Sequence, residues 1–246
     1  MLSASWHHWK SLKTITSFNP NYKSIMKNYS ISKIKTDFIP SASFDSSIWA
    51  SIIPLKIDTW PWHKSDEPKV PSVEVKVLYS DKNLYLRYFV KEKFIIAKTA
   101  EPQGKVHLDS CVEFFVSPNE NGYFNFELNC IGSIHLGFKQ DRYSGGFIEE
   151  KDLNKIIVAT SLTKGKAIED AVASPKEGYI VEYSVPLELF VEYSKCERPV
   201  KGTFWRANFY KCGDNLPSPS WGIWSNVATP KPDFHRPEFF GTILFS

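Results

Sequence analysis

The stretch CVEFFVSPNENGYFNFELNC, residues 111–130, decides the fold. On either side of its turn-rich PNENG, apolar and polar side chains alternate, which is the period of a strand whose two faces meet different surroundings. Two such runs joined by a short Asn/Gly turn predict an antiparallel hairpin. Val112, Phe114 and Val116 then face a core together with Phe124, Phe126, Leu128 and Cys130. Glu113, Asn125, Glu127 and Asn129 share the opposite face.

The same pattern recurs outward from this hairpin. VEVKVLYS puts Val73, Val75, Val77 and Tyr79 on one side, and NLYLRYFV does so with Leu84, Leu86, Tyr88 and Val90, with Ser80–Asn83 as the turn between them. GYIVEYSVP aligns Tyr179, Val181, Tyr183 and Val185; FWRANFYKC sets Trp205, Ala207 and Phe209 against Arg206, Asn208 and Tyr210. Helical period is confined to two short stretches, Glu149–Lys155 and Leu187–Tyr193, and sixteen prolines punctuate the loops. Many short strands without helices to cover them bury their apolar faces against each other. The expected architecture is therefore all-β, a β sandwich of two antiparallel sheets with long connecting loops.

At 246 residues, with 42% hydrophobic and 15% aromatic, the chain has material for one sizeable core. Residues 1–25 read as a loose extension or a mis-assigned start, since ordered-looking sequence begins near Met26; residues 26–246 read as one domain. Thirty basic against twenty-seven acidic side chains leave a charge of +3, too even to point to nucleic acid. No apolar run approaches the roughly 20 residues of a spanning helix. The first 36 residues lack Asp and Glu, but no signal-peptide core follows their lysines. Cys111, Cys130, Cys196 and Cys212 show no zinc spacing and read as buried thiols, with two disulfides possible in an exported protein. In HLDSCVE, His107 to Glu113, the residues Asp109, Cys111 and Glu113 share a strand parity that includes His107 only if the strand stays regular so far back, and no metal site is expected.

Sugars are held by flat aromatic rings against their C–H faces and by planar polar groups that pair with several hydroxyls. The polar row of Glu113, Asn125, Glu127, Asn129, Arg206 and Asn208 has that chemistry, and proline-stiffened loops carry Trp60, Trp62, Trp221, Trp224 and Phe234. Outward strand charges are more often a solvated surface, and a Trp at a strand end as often caps a core. Glu113 and Glu127 on neighbouring strands also have the residue types of a glycosidase pair. Nucleophile-elbow, phosphate-loop, dinucleotide and zincin patterns are missing.

From about Phe44 to Phe245 the chain resembles the family 9 carbohydrate-binding modules and their stand-alone bacterial relatives. The resemblance rests on FDSSIW (44–49), VKVLYSDKNLYLRYFVKE (75–92), DSCVEFFVSP (109–118), GYIVEYSVP (178–186), WRANFYKCGD (205–214) and PKPDFHRPEFFGTILF (230–245). It implies a β sandwich that binds sugars between two aromatic rings, with calcium supporting some members. It places the family's carboxylate on Glu113, its late loop aromatic on Phe234 and its late-strand amide near Asn208. The second stacking Trp has no counterpart, its place falling near Val106, and Glu127 stands where the family carries an arginine. Trp62, His107 or Trp224 would then supply the second wall. Related sandwiches hold haem in some redox proteins, but the methionines at the N-terminal edge leave no internal Met ligand, only histidines.

The expectation is a non-catalytic carbohydrate-binding protein of polysaccharide utilisation. Its site would combine Phe234, Trp224 and Trp62 with Glu113, Asn208, Arg206 and Glu127. No cofactor is required, structural calcium is allowed, and the habit of such modules points outside the cytoplasm. The alternatives are a glycan-processing hydrolase using Glu113 and Glu127, and a protein-interaction module on the same fold; the sequence carries no signal for oligomeric state.

Overall fold

A computed structural model describes residues 26–64 and 69–246. The expectation for residues 1–25 falls outside them. The strands in chain order are β1 (Asn28–Lys33), β2 (Leu55–Ile57), β3 (Ser72–Tyr79), β4 (Asn83–Lys91), β5 (Phe94–Ala97), β6 (Cys111–Asn119), β7 (Gly122–Asn129), β8 (Ile134–Lys139) and β9 (Gly145–Phe147). A one-turn helix α1 (Glu150–Leu153) leads to β10 (Ile157–Thr160), β11 (Ile168–Ala173) and β12 (Tyr179–Pro186). Then come α2 (Leu187–Ser194), β13 (Phe204–Cys212), β14 (Gly222–Ile223) and β15 (Gly241–Phe245). Both helices fall where the helical period was seen.

Two layers face each other. One runs β9-β8-β7-β6-β13-β15-β1, with β14 beside β13; the other runs β10-β12-β4-β3-β1, with β2 beside β3. β5 and β11 form a separate pair. The layers are not fully independent, nor wholly antiparallel, because β1 pairs in parallel with β15 on one side and with β3 on the other. The alternation in NYSISK is too short to show this: Ile31 is its one fully buried residue.

The inward sets predicted from alternation do meet between the layers. Val73, Val75, Val77, Leu84, Leu86, Tyr88 and Val90 from one layer join Val112, Phe114, Val116, Phe124, Phe126 and Leu128 from the other in one cluster. Phe114 stacks on Phe209 at 5.0 Å and on Phe126 at 5.9 Å. Lys211 is an exception on this inner face. Wholly buried, its Nζ lies 3.0 Å from Glu92 and donates to the Cys212 carbonyl, while the Tyr179 hydroxyl donates to the same carboxylate at 2.6 Å. A charge removed from water persists only when paired and hydrogen-bonded in this way. The four cysteines are buried free thiols.

Candidate ligand-binding site

The site lies on the far side of the β13-β6-β7 layer, the face that alternation assigned to polar residues. Register sets Glu113 of β6 opposite Glu127 of β7 and opposite Tyr210 of β13, and sets Cys111 opposite Cys212. This face is not solvated. Glu113 is 3% exposed, Glu127 5%, and Asn125 and Asn129 less still. Val106, Phe115, Tyr123, Tyr210, Val227, Phe234 and Phe240 form a second apolar cluster over it.

The segment between Trp224 and Gly241 supplies most of that cover. Phe234 stacks on Tyr210 at 4.1 Å with the rings 7° apart, and the Tyr210 hydroxyl donates to the Phe234 carbonyl at 3.1 Å. His235 follows, its Nδ1 hydrogen-bonded to the Tyr123 hydroxyl at 2.9 Å and its ring 5.0 Å from Phe115. Burial, with Lys139 and Arg142 nearby, lowers the His235 imidazole to about 4. Trp62 braces the segment from behind, its indole N–H donating to the Thr229 carbonyl at 2.8 Å and its ring 6.1 Å from Phe234.

The cover is incomplete, and it leaves a cavity of about 500 Å³. Its floor is Glu113, Glu127 and Cys212; its walls are His107, Asp214, Trp221, Arg142 and the run Lys231–His235. The Trp221 indole is fixed by donating to Asp214 at 2.7 Å, and Arg142 pairs with Asp233. Asn125 donates to Glu127 at 2.9 Å, and His107 Nδ1 is 3.9 Å from the other Glu127 oxygen. Burial first, then the Cys212 and Glu127 charges, holds the Glu113 carboxyl well above the usual carboxylate range, and burial pushes the Cys111 thiol up to about 12. Burial thus disfavours charge on the carboxyl and thiols at and beneath the floor, while hydrogen-bond acceptors and cations ring the mouth.

Of the expected site residues, Glu113, Glu127 and Phe234 come together here, and Trp62 stands directly behind them. Three others lie away from this cavity. Trp224 points into the space between the layers, 5.4 Å from Phe209, because its backbone N–H continues the β14–β13 pairing and turns the ring inward. Asn208 is fully buried and its amide is consumed, accepting from the Ser225 N–H at 2.8 Å and donating to the Ser225 carbonyl at 2.9 Å. Arg206 faces a separate cavity of about 420 Å³ beside Ser117 and Phe204, and its guanidinium donates to the Glu238 and Phe240 carbonyls.

His107 and Trp221 line the cavity as the loop reading allowed. Asp214, Asp233, His235, Lys231, Arg142 and Cys212 were not foreseen. Cys212 has the parity of Tyr210, and the three loop residues flank Phe234, so a weak signal existed; Arg142 has none, lying in the turn after β8.

Among the described residues, one group of three or more His, Cys, Asp or Glu side chains has donor atoms close enough to share an ion: Cys111, Glu113 and Cys212. Calcium takes oxygen ligands, so this group does not fit the calcium that the resemblance implies. Asp109 of the HLDSCVE run is otherwise engaged, accepting from the backbone N–H groups of Lys98 and Thr99 and from Asn129.

The profile of carbohydrate-binding family 9 matches residues 48–245. No curated protein sequence matches significantly. Among solved structures, a candidate carbohydrate-binding protein from Bacteroides uniformis is similar at 28% identity and a TM-score of 0.80, over 90% of this chain and 100% of that one. A family 9 carbohydrate-binding module from Caldicellulosiruptor kristjanssonii is similar in fold in its glucose complex, at 14% identity and a TM-score of 0.60, over 89% of this chain and 96% of that one. Its cellotriose complex matches at 14% and 0.59, over 89% and 93%. No helix among the described residues is long and apolar enough to cross a membrane.

Proposed function

The chain belongs to carbohydrate-binding family 9, and on that premise we propose that it binds a sugar, without turning it over, in the cavity between the β13-β6-β7 face and the Phe234 segment. One observation carries the reading. An aromatic wall, Phe234 and Trp221, stands directly over buried and half-buried carboxylates, Glu127, Asp214 and Asp233, in a cavity within the roughly 300–1,000 Å³ typical of small-molecule sites. A pyranose offers an apolar C–H face to the rings and hydroxyl hydrogens to the carboxylates, while Lys231, Arg142 and His107 donate to its oxygens.

The wall is one-sided in a useful way. Tyr210 occupies one face of Phe234 and holds the ring in place, so little side-chain freedom is lost when a ligand meets the remaining surface. Trp221 is likewise oriented before a ligand arrives by its bond to Asp214.

Calorimetry with glucose, cellotriose and a panel of other glycans tests the reading. Binding of one sugar per chain is expected, weakened about fivefold by Phe234→Ala, in line with the roughly 1 kcal/mol of a stacking contact, and weakened further by Asp214→Asn. No heat and no change in Trp fluorescence with any glycan would remove the proposal. Release of sugar products that stops with Glu127→Gln would replace it with the hydrolase.

A further inference from the structure

Beneath the cavity the two thiols and the carboxyl have an arrangement that sugar binding does not require. Cys111 and Glu113, two apart on β6, project from the same face, and Cys212 of β13 is the register partner of Cys111. The three donor atoms lie within 4.8 Å of one another. All three residues are at most 3% exposed, and the one open side of the group faces the cavity.

Two features are hard to reconcile with a purely packing role. Glu113 sits in register with a second buried carboxylate, Glu127, and among the described residues no ion pair reaches Glu113. The nearby cation Lys211 points to the inner face and is taken by Glu92. The Glu113 carboxyl instead accepts from the Cys212 thiol at 2.9 Å. Two thiols and a carboxyl gathered within 4.8 Å with no ion pair to the carboxyl form a donor set that a positive ion would complete.

We propose that Cys111, Cys212 and Glu113 bind a thiophilic divalent cation of the zinc class, through two thiolates and one carboxylate, with the fourth coordination position open to the cavity. Zinc–sulfur bonds of about 2.3 Å and zinc–oxygen bonds of about 2.0–2.2 Å put neighbouring tetrahedral ligands roughly 3.5–3.8 Å apart, so the Cys212–Glu113 contact of 2.9 Å would open by somewhat more than half an ångström, while every pair already lies within 4.8 Å. Two sulfurs select zinc, cobalt or a similar soft ion over calcium and magnesium. Binding sends the protons of both thiols to solvent, as thiolate ligation requires, so uptake strengthens as pH rises. His107 and Glu127, at the edge of the same opening, are placed to hydrogen-bond whatever fills the fourth position, a water or a sugar hydroxyl.

The site shares its cavity with the proposed sugar site but does not rest on it, and the test is done without sugar. The full chain, reduced and stripped with chelator, is titrated with cobalt(II). One equivalent is expected to bring up thiolate-to-cobalt charge-transfer absorption and the intense visible bands of a tetrahedral ion, both displaced by zinc. Cys111→Ser and Cys212→Ser should each weaken binding by about a hundredfold or more, since even partners one shell out are worth 10–100-fold; Cys196→Ser should leave it unchanged. Because a serine variant may simply unfold, the wild-type melting temperature is also compared in zinc and in chelator, with a rise in zinc expected. Absence of the charge-transfer band in the folded wild type, or an undiminished band in either folded serine variant, overturns the proposal. Sugar calorimetry in chelator then stands or falls separately.

Discussion

His235→Phe separates the cover of the site from the rest of the fold. The imidazole is held at about 4, against 6.5 for an exposed one, chiefly by burial and then by Lys139 and Arg142, with His135 acting the same way and Asp233 opposing them. As pH falls below 6.5 the unfolded chain gains a proton that the native ring refuses until about pH 4. The native state is therefore fully favoured above 6.5 and loses stability progressively down to about 4. At 1.36 kcal/mol for each tenfold change in proton affinity, the loss from this one group approaches about 3 kcal/mol. Phenylalanine keeps a ring against Phe115 but cannot titrate, and it gives up the Tyr123 hydrogen bond at a cost of about 1 kcal/mol at every pH. Urea denaturation followed by Trp fluorescence at pH 7.5, 6, 5 and 4 should show the variant less stable at pH 7.5 and overtaking the wild type in acid. The difference between the two proteins should change by about 3 kcal/mol across the range. A difference that stays constant with pH would refute the argument, as would an NMR titration of His235 near 6.5. Since Lys231–His235 line the cavity, the sugar affinity of the folded wild type should hold down to about pH 4 and decline only as the native ring takes up its proton, a decline the variant should lack.

Other perturbations read other parts of the molecule. Lys211→Met strands Glu92 without its cation between the layers and should cost about 3–5 kcal/mol in chemical denaturation, much of it regained when Glu92→Leu is added. Trp224→Ala should cost about 3–5 kcal/mol of stability while leaving the sugar affinity of the folded protein unchanged, because the ring is in the core and not at the cavity. Asn208→Ala, which orphans the Ser225 N–H and carbonyl, should cost about 1–3 kcal/mol by the same measurement.

The parity of each strand was legible because it is a local property. Val112 to Val116 and Phe124 to Leu128 alternate so strictly that only one side can be apolar, and the core follows from that. What lies against the other side is not local. Glu113 and Glu127 read as members of a polar strand face, either a ligand platform or a solvated surface, and they are buried because a segment more than a hundred residues later folds back across them. Alternation cannot register that return. The placement of Trp224 is hidden for a similar reason: a ring near two prolines and a serine reads as a loop residue, whereas its backbone hydrogen bond to the Phe209 carbonyl carries it into the interior. At Asn208 the residue type was right for a ligand-binding amide, but the partner it found was the backbone of Ser225. Cys111 and Cys212 read as buried thiols because their spacing matches no zinc pattern; only the β6–β13 register brings them side by side.

The position of β15 bears on the order in which the chain acquires its shape. The final strand lies between β13 and β1, and β1 in turn touches β3, so the first described strand cannot take its place until the last residues are available. On a ribosome, β3 and β4 can pair as soon as they emerge, but β1 must wait through some two hundred further residues, held only by its short contact with β3. Contacts so distant in sequence close slowly, and until they do both β13 and β1 present unpaired backbone to neighbouring chains. A nascent chain stalled before Gly241 would thus carry two open edges at once, and losing five residues there should drive aggregation far more than losing the same number from an exposed loop.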